Sequence, residues 1–241
     1  MTAKDLFQAG RLEEAVRALG SELRNDPTDQ KRRTFLFELL CFSGEYDRAE
    51  KQLDILADAG KAAGMGTLLY RAALHAERTR SQMFTTGELP SGDAATTSGT
   101  IDGKPFTSIE DADPRIGPRL EVYAAGAYLW IPFEHIASLE LQAPQRLRDL
   151  IWIPALVRTG AAFKGRELGE VLLPVLTPLA GKHSDDAVRL GRATVWDQIA
   201  DDMVIPAGQK MFLIDGEEYP LLEVRKLEFA TAPAAAGTDA S

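Results

Sequence analysis

A chain of 241 residues with 27 Lys+Arg against 36 Asp+Glu carries a formal charge of −9, which excludes the clustered basic surface that nucleic-acid backbones and anionic membranes select. At 45% hydrophobic and 26% charged residues it has the composition of a globular protein, long enough for one large domain or two ordinary ones. Its one cysteine, Cys41, excludes an internal disulfide framework and any multi-cysteine zinc site. The N-terminal residues lack a basic segment followed by an apolar run, and no stretch reaches the roughly 18 apolar residues of a membrane span. A cytoplasmic protein is expected.

The front of the chain repeats itself. A shift of 34 residues lays Gly10-Arg11-Leu12-Glu13-Glu14-Ala15 onto Gly44-Glu45-Tyr46-Asp47-Arg48-Ala49, and pairs Leu6 with Leu40 and Leu19 with Leu53. That period is the one of tetratricopeptide helix–turn–helix units. The glycines sit where antiparallel helices must turn, and the alanines permit close helix approach. Leu12, Ala15, Val16, Leu19 and Leu23 recur at helical spacing. Thr2 and Asp5 form a capping pattern, and Asn25-Asp26-Pro27 marks a helix end. A break is expected over residues 60–66, with Gly64-Met65-Gly66 as loop, then one more helix over 67–85 with Leu68, Ala72, His75 and Ala76 on one side. The alternative is a helical bundle whose periodicity is chance.

Residues 90–99 are small, polar and rich in breakers, which predicts an exposed linker between a helical domain at 1–89 and a β-rich domain at 100–230. Short β-type runs occupy 120–124, 127–131 and 138–142, with a helical turn at 132–136. The apolar run 151–157 contains Pro154 and reads as an edge strand. Near the end, 211–214 and 221–229 flank the turn dipeptide Asp215-Gly216. The expected fold class is α+β, a tetratricopeptide-like helical array followed by a small, partly open barrel or curled sheet. Residues 231–241 read as a disordered tail.

No nucleophile elbow, Walker A loop or His-Glu-x-x-His pattern is present. Cys41 falls on a core position of the repeat, and His75, His135 and His183 lie in unlike segments with no metal-pair spacing. In Asp111-Ala112-Asp113-Pro114-Arg115 the two carboxylates suit a cation or acid–base work. The other reading is a turn whose aspartates accept backbone N–H bonds, with Arg115 paired to a carboxylate. Glu134 beside His135 has the composition of a base and its orienter, although neighbours on a helical turn diverge. Arg146, Arg148 and Asp149 precede Trp152, and Arg189 and Arg192 precede Trp196. Arginine packed on tryptophan locks domain interfaces and also marks partner hot spots.

These residues bring a family into view. The runs at 109–121, 128–136, 147–152, 186–192, 208–213 and 216–225 together resemble the ImpE family, also called TagJ, the accessory proteins of bacterial type VI secretion. The resemblance implies a non-enzymatic, cytoplasmic adaptor with no cofactor or metal. It further implies association with a helical segment of the small sheath subunit TssB and with the recycling ATPase ClpV. Its motif and interface positions here are Asp111, Asp113, Arg115, Trp130, Phe133, Glu134, Arg148, Asp149, Trp152, Arg189, Arg192, Trp196, Glu217 and Glu218. Thr177 stands where the family commonly has Tyr. A partner helix is expected in a groove on the helical array around Phe35, Phe37, Glu38 and Cys41. Two other functions stay open: a metal-dependent hydrolase built on Asp111, Asp113 and Glu134, and a scaffold outside secretion.

Overall fold

The structure is a computed structural model that describes residues 1–58, 61–160, 163, 167–201 and 203–230. The expected tail at 231–241 lies outside the described residues.

Five helices come first: α1 (Ala3–Gln8), α2 (Leu12–Asn25), α3 (Gln30–Phe42), α4 (Tyr46–Ala57) and α5 (Lys61–Thr86). Thr2 and Asp5 cap α1 reciprocally. Gly10 and Gly44 both adopt left-handed φ values, 76° and 69°. Each is followed by the same closing bond, Arg11 N–H to the Leu6 carbonyl and Glu45 N–H to the Leu40 carbonyl, both 2.9 Å. The halves of the repeat differ in length, since α1 has 6 residues and α3 has 13.

Helix α5 departs from the expected break over 60–66, because it already runs from Lys61 and takes Gly66 inside it. A helical glycine costs about 1 kcal/mol relative to alanine, an amount that packing of Ala73, Leu74 and Ala76 against the core outweighs. Its inner face also differs from the expected one: Leu68 and His75 are exposed, whereas Ala73, Leu74, Ala76, Glu77 and Arg80 are buried.

Among the described residues thirteen strands and a short α-helix follow: β1 (Gly99–Ile101), β2 (Lys104–Phe106), β3 (Ile109–Asp111), β4 (Arg119–Ala124), β5 (Ala127–Pro132), β6 (Ile136–Leu141), β7 (Trp152–Thr159), β8 (Gly169–Pro174), α6 (Asp186–Arg189), β9 (Val195–Ala200), β10 (Met203–Ala207), β11 (Met211–Ile214), β12 (Glu217–Pro220) and β13 (Lys226–Phe229). Eight form one antiparallel sheet in the order β2-β1-β13-β6-β7-β8-β4-β5. Its end strands β2 and β5 do not pair, so of the expected partly open barrel or curled sheet the structure shows a sheet that does not close. Strands β12-β11-β3 make a second sheet and β9-β10 a separate ribbon.

Layering follows from strand alternation. On one face of the large sheet, Leu120, Val122, Leu139, Ile153, Val157 and Leu173 pack with Phe212 and Ile214 of the small sheet. Phe133 joins the two, 5.7 Å from Phe212 and 5.6 Å from Phe229. On the other face, Tyr123, Trp152 and Leu172 share one apolar cluster with α1–α5.

Two strand expectations are corrected. Strand β7 is central, but the β6 ladder reaches only Ala155, so Pro154 lies where β7 is paired solely with β8 and no N–H is asked of it there. The run 221–229 does not close the hairpin. Glu217–Pro220 does, and after a helical turn Lys226–Phe229 crosses to the large sheet.

Candidate functional site

The buried charges gather where α5 crosses the large sheet. Glu77 and Arg80, three residues apart, share the inner face of α5. Arg80 donates from Nε and Nη2 to both carboxylate oxygens of Glu121 on β4, at 2.7 and 2.8 Å, and from Nη2 to the Leu176 carbonyl at 3.0 Å. This bidentate pair is the strong geometry for arginine and carboxylate. Lys210 Nζ reaches Glu121 at 2.6 Å and also pairs with Asp111. Tyr128 donates to Glu121, and Trp130 Nε1 donates to the Tyr128 hydroxyl. Asp111 Oδ1 accepts the Asp113 N–H at 3.0 Å, while Asp113 holds Arg115 at 2.6 Å. Arg115 then lies 4.7 Å from the Phe84 ring centroid on α5.

Electrostatics separates the two acids that share Lys210. Burial drives Asp111 up to about 6, against the pull of Lys210 and with Glu121 adding to the rise. Burial acts on Glu121 in the same sense, but Arg80 and Lys210 together overcome it and hold that carboxyl at about 2. Glu121 is therefore the fixed anion of the cluster and Asp111 its titratable one.

An aromatic step continues the contact. Trp152 Nε1 donates to Glu77 at 3.0 Å, and its ring stacks on Tyr70 of α5 at 6.0 Å. Arg148 lies over Tyr70 at 5.0 Å and pairs with Glu38 at 3.4 Å. The arginine thus meets Trp152 through a tyrosine rather than directly. Asp149 instead accepts the N–H groups of Gln145 and Arg146, both at 2.9 Å.

A second clamp grips the first helix pair. Asp186 accepts the Leu12 N–H at 2.7 Å, and Arg189 bridges Glu13 and Asp186 at 3.1 and 3.0 Å. Arg192 donates to the Phe7 and Gln8 carbonyls at 2.7 and 3.0 Å and stands 4.9 Å from the Phe7 centroid. The expected Arg–Trp pair is absent here: the aromatic under Arg192 is Phe7, and Trp196 is 41% exposed on β9.

The remaining predicted residues scatter. Phe37 and Cys41 are in the shared core and Glu38 is buried against Arg148, so these three line no open groove; the β-rich part covers them. Phe35 is half-buried on Phe7. Phe133 is in the sheet core, and Glu217 and Glu218 are exposed in the β11–β12 hairpin. Glu134 is exposed on the turn Phe133–His135 and joins neither Asp111 nor Asp113. The carboxylates of the hydrolase reading are thus divided, and no metal-holding group of three His, Cys, Asp or Glu occurs among the described residues. His75 is exposed, His135 lies by Phe163, and His183 is 4.0 Å from Asp197.

Sequence reasoning missed Glu77, Arg80 and Glu121 and gave Lys210 no role. A signal existed in α5, where a Glu–Arg pair at i, i+3 follows directly on Ala73, Leu74 and Ala76.

The ImpE protein family model matches residues 103–228, which hold Asp111, Glu121, Trp152, Arg189 and Lys210. The chain belongs to the ImpE family. A curated protein from Pseudomonas aeruginosa strain PAO1, "Type VI secretion system accessory component TagJ", is 33% identical over 95% of this chain and 91% of its own. The crystal structure of protein VPA1032 from Vibrio parahaemolyticus superposes with a TM-score of 0.84 over 96% of this chain and 98% of that one, at 22% identity. That likeness in fold covers helices and sheet together. In this chain Glu121 of the matched region is paired with Arg80 of α5, and Asp186 and Arg189 of that region hold the first helix pair.

Proposed function

We propose that this protein is a non-enzymatic accessory component of a bacterial type VI secretion system, working in the cytoplasm as an adaptor. Its helical part acts as a short tetratricopeptide-like array. The protein engages a helical segment of the small sheath subunit, TssB-like, and through it connects to the ClpV ATPase that recycles the sheath. The observation that carries the reading is the likeness to the TagJ component along nearly the whole of both chains. The geometry supports an adaptor, because Asp111, Asp113 and Glu121 are committed to Lys210, Arg115 and Arg80. Carboxylates held in this way brace a scaffold rather than activate a water. No helix among the described residues is long and apolar enough to cross a membrane.

The test is a pull-down of the purified full chain against the purified small and large sheath subunits and the ATPase of the same bacterium. Capture of the small subunit is expected. Failure to bind any of the three overturns the proposal, and binding only to proteins outside the secretion system favours the general scaffold.

A further inference from the structure

Helix α5 covers only part of the large sheet. It runs from Phe84, 5.9 Å from Trp130 on β5, to Tyr70, stacked on Trp152 of β7. Beside Leu69 the same sheet face is left uncovered by the described residues over β6, β7 and β8. There a crevice of about 490 Å³ is walled by Leu69 and floored by Pro154, Leu156 and Leu172, with Glu140 and Glu170 at its sides. Leu69 is 49% exposed and its neighbour Leu68 68%. Leu156 pairs across the strands with Glu140 on one side and Glu170 on the other. Two strand spacings therefore separate the carboxylates, about 10 Å. Neither is in a salt bridge among the described residues. Lys226, which faces Glu140 from β13, is engaged by Glu228 at 2.7 Å. Arg158 stands further along β7, opposite Ser138.

We propose that this crevice docks an amphipathic helix of another protein, lying beside α5 and across β6–β8, with basic side chains at positions i and i+7 and apolar ones at i+3 and i+4. Seven residues of helix rise about 10.5 Å, which matches the carboxylate spacing. The residues between them turn to the same side and meet Leu156, Pro154 and Leu69. Helices pack about 8–10 Å apart, so such a segment completes the layer that α5 begins. The two unbridged carboxylates select cationic flanks and repel acidic ones. This deepens the proposed function and rests on it only for the source of the helix, the sheath.

The experiment measures binding of the full chain to three probes. The first is a fluorescein-labelled peptide of about 18 residues, long enough to hold a helix, with Lys at i and i+7 and Leu at i+3 and i+4. The second is its Glu-for-Lys counterpart, and the third is the purified small sheath subunit. The Lys peptide binds at least tenfold tighter than the Glu peptide, and Leu156→Asp weakens the Lys peptide and the subunit at least tenfold. Glu140→Lys with Glu170→Lys reverses the peptide preference; Glu170 is exposed and Glu140 half-buried, neither in the core, so this variant carries the test if Leu156→Asp lowers the melting temperature. Equal binding of the two peptides, or Lys-peptide binding that neither variant changes, overturns the crevice. So does subunit binding that survives both variants, which leaves the accessory function intact. A wild-type chain that ignores the subunit yet discriminates the peptides overturns the small sheath subunit as the source of the helix and upholds the crevice.

Discussion

Glu121 illustrates how one side chain sustains a contact between distant segments. Its side chain is wholly buried, with Arg80 and Lys210 on its two oxygens, so removing its charge strands two cations in a low-dielectric interior. Breaking a buried pair by deleting one partner costs about 3–5 kcal/mol, whereas replacing the whole set with apolar residues is often neutral. Glu121→Gln is accordingly expected to destabilise by about that amount in urea unfolding. The triple change Arg80→Met, Glu121→Leu, Lys210→Met is expected to cost less than the single one; a larger loss refutes this account.

Asp111 gives the cluster a pH dependence of unusual sign. With its pKa raised to about 6, the folded state keeps a proton that the unfolded chain has lost, so its contribution to stability falls as pH rises from about 4 to 6. Glu121, held at about 2, contributes oppositely: its stabilisation is present above the ordinary glutamate range and is lost as pH falls toward 2. Asp111→Asn removes the first effect and leaves the second. Relative to wild type, the variant should gain stability on the order of 2 kcal/mol between pH 4 and pH 7, because a tenfold change in proton affinity between the unfolded and folded chain is worth about 1.4 kcal/mol. Parallel urea-stability profiles for the two proteins rule that out.

At the scale of elements, the meeting of the two parts depends on a backbone approach as well as on ions. A Cβ on Gly181 would stand 2.9 Å from the Gly44 nitrogen and 3.1 Å from the Phe42 carbonyl oxygen, both main-chain atoms that cannot rotate away. Gly181 lies beside the turn that joins α3 to α4, so Gly181→Ala pushes that turn off the β-rich part. Overpacking of this kind costs about 1–3 kcal/mol. Thermal melts should show a drop of several degrees for Gly181→Ala, while Gly216→Ala strains only an exposed hairpin with open space around it. Equal melting points for Gly181→Ala and wild type would count against a close-packed junction.

The helix pairs are legible in the sequence because their determinants are local: Gly10 and Gly44 make the turns, and the stripe from Leu12 to Leu23 marks the buried side. Helix α5 is not legible in the same way. Its inner face carries Glu77 and Arg80 and its outer flank Leu68 and Leu69, so polarity points the wrong way unless Glu121 is known to be opposite. Arg80 and Glu121 are 41 residues apart in sequence, and Lys210 and Asp111 are 99. Periodicity reports how polar a face is and says nothing about a counter-ion contributed from so far away. Pro154 misleads for a related reason, since its strand is central in the sheet yet locally unpaired on one side, a matter of where β6 stops.

In the whole molecule the charge is unevenly divided, with 13 Lys+Arg against 14 Asp+Glu in residues 1–89 and 14 against 22 in residues 90–241. The cluster between the two sheets lies wholly in the second part, but the other crosses that line. This one contains Leu12, Leu39 and Leu74 from the helices together with Tyr123, Trp152, Leu176 and Leu190 from the β-rich part. Removing the sheet would expose that cluster, and removing the helices would leave Trp152 and Glu121 facing water. The helices lose their core without the sheet, and the β-rich part keeps the cluster between its sheets but loses the one it shares with the helices, which predicts a single cooperative transition. Far-UV circular dichroism, dominated by α2–α5, and the fluorescence of Trp130 and Trp152 at the junction should give the same midpoint in urea. Arg189→Ala with Arg192→Ala releases only the clamp on the α1–α2 turn, so it should speed amide exchange in α1 and around Leu12 before it lowers the global midpoint. A helical signal that persists after the tryptophans are exposed would mean two independent units joined by a linker, and the bracing role of the Arg80–Glu121–Lys210 cluster would fall with it.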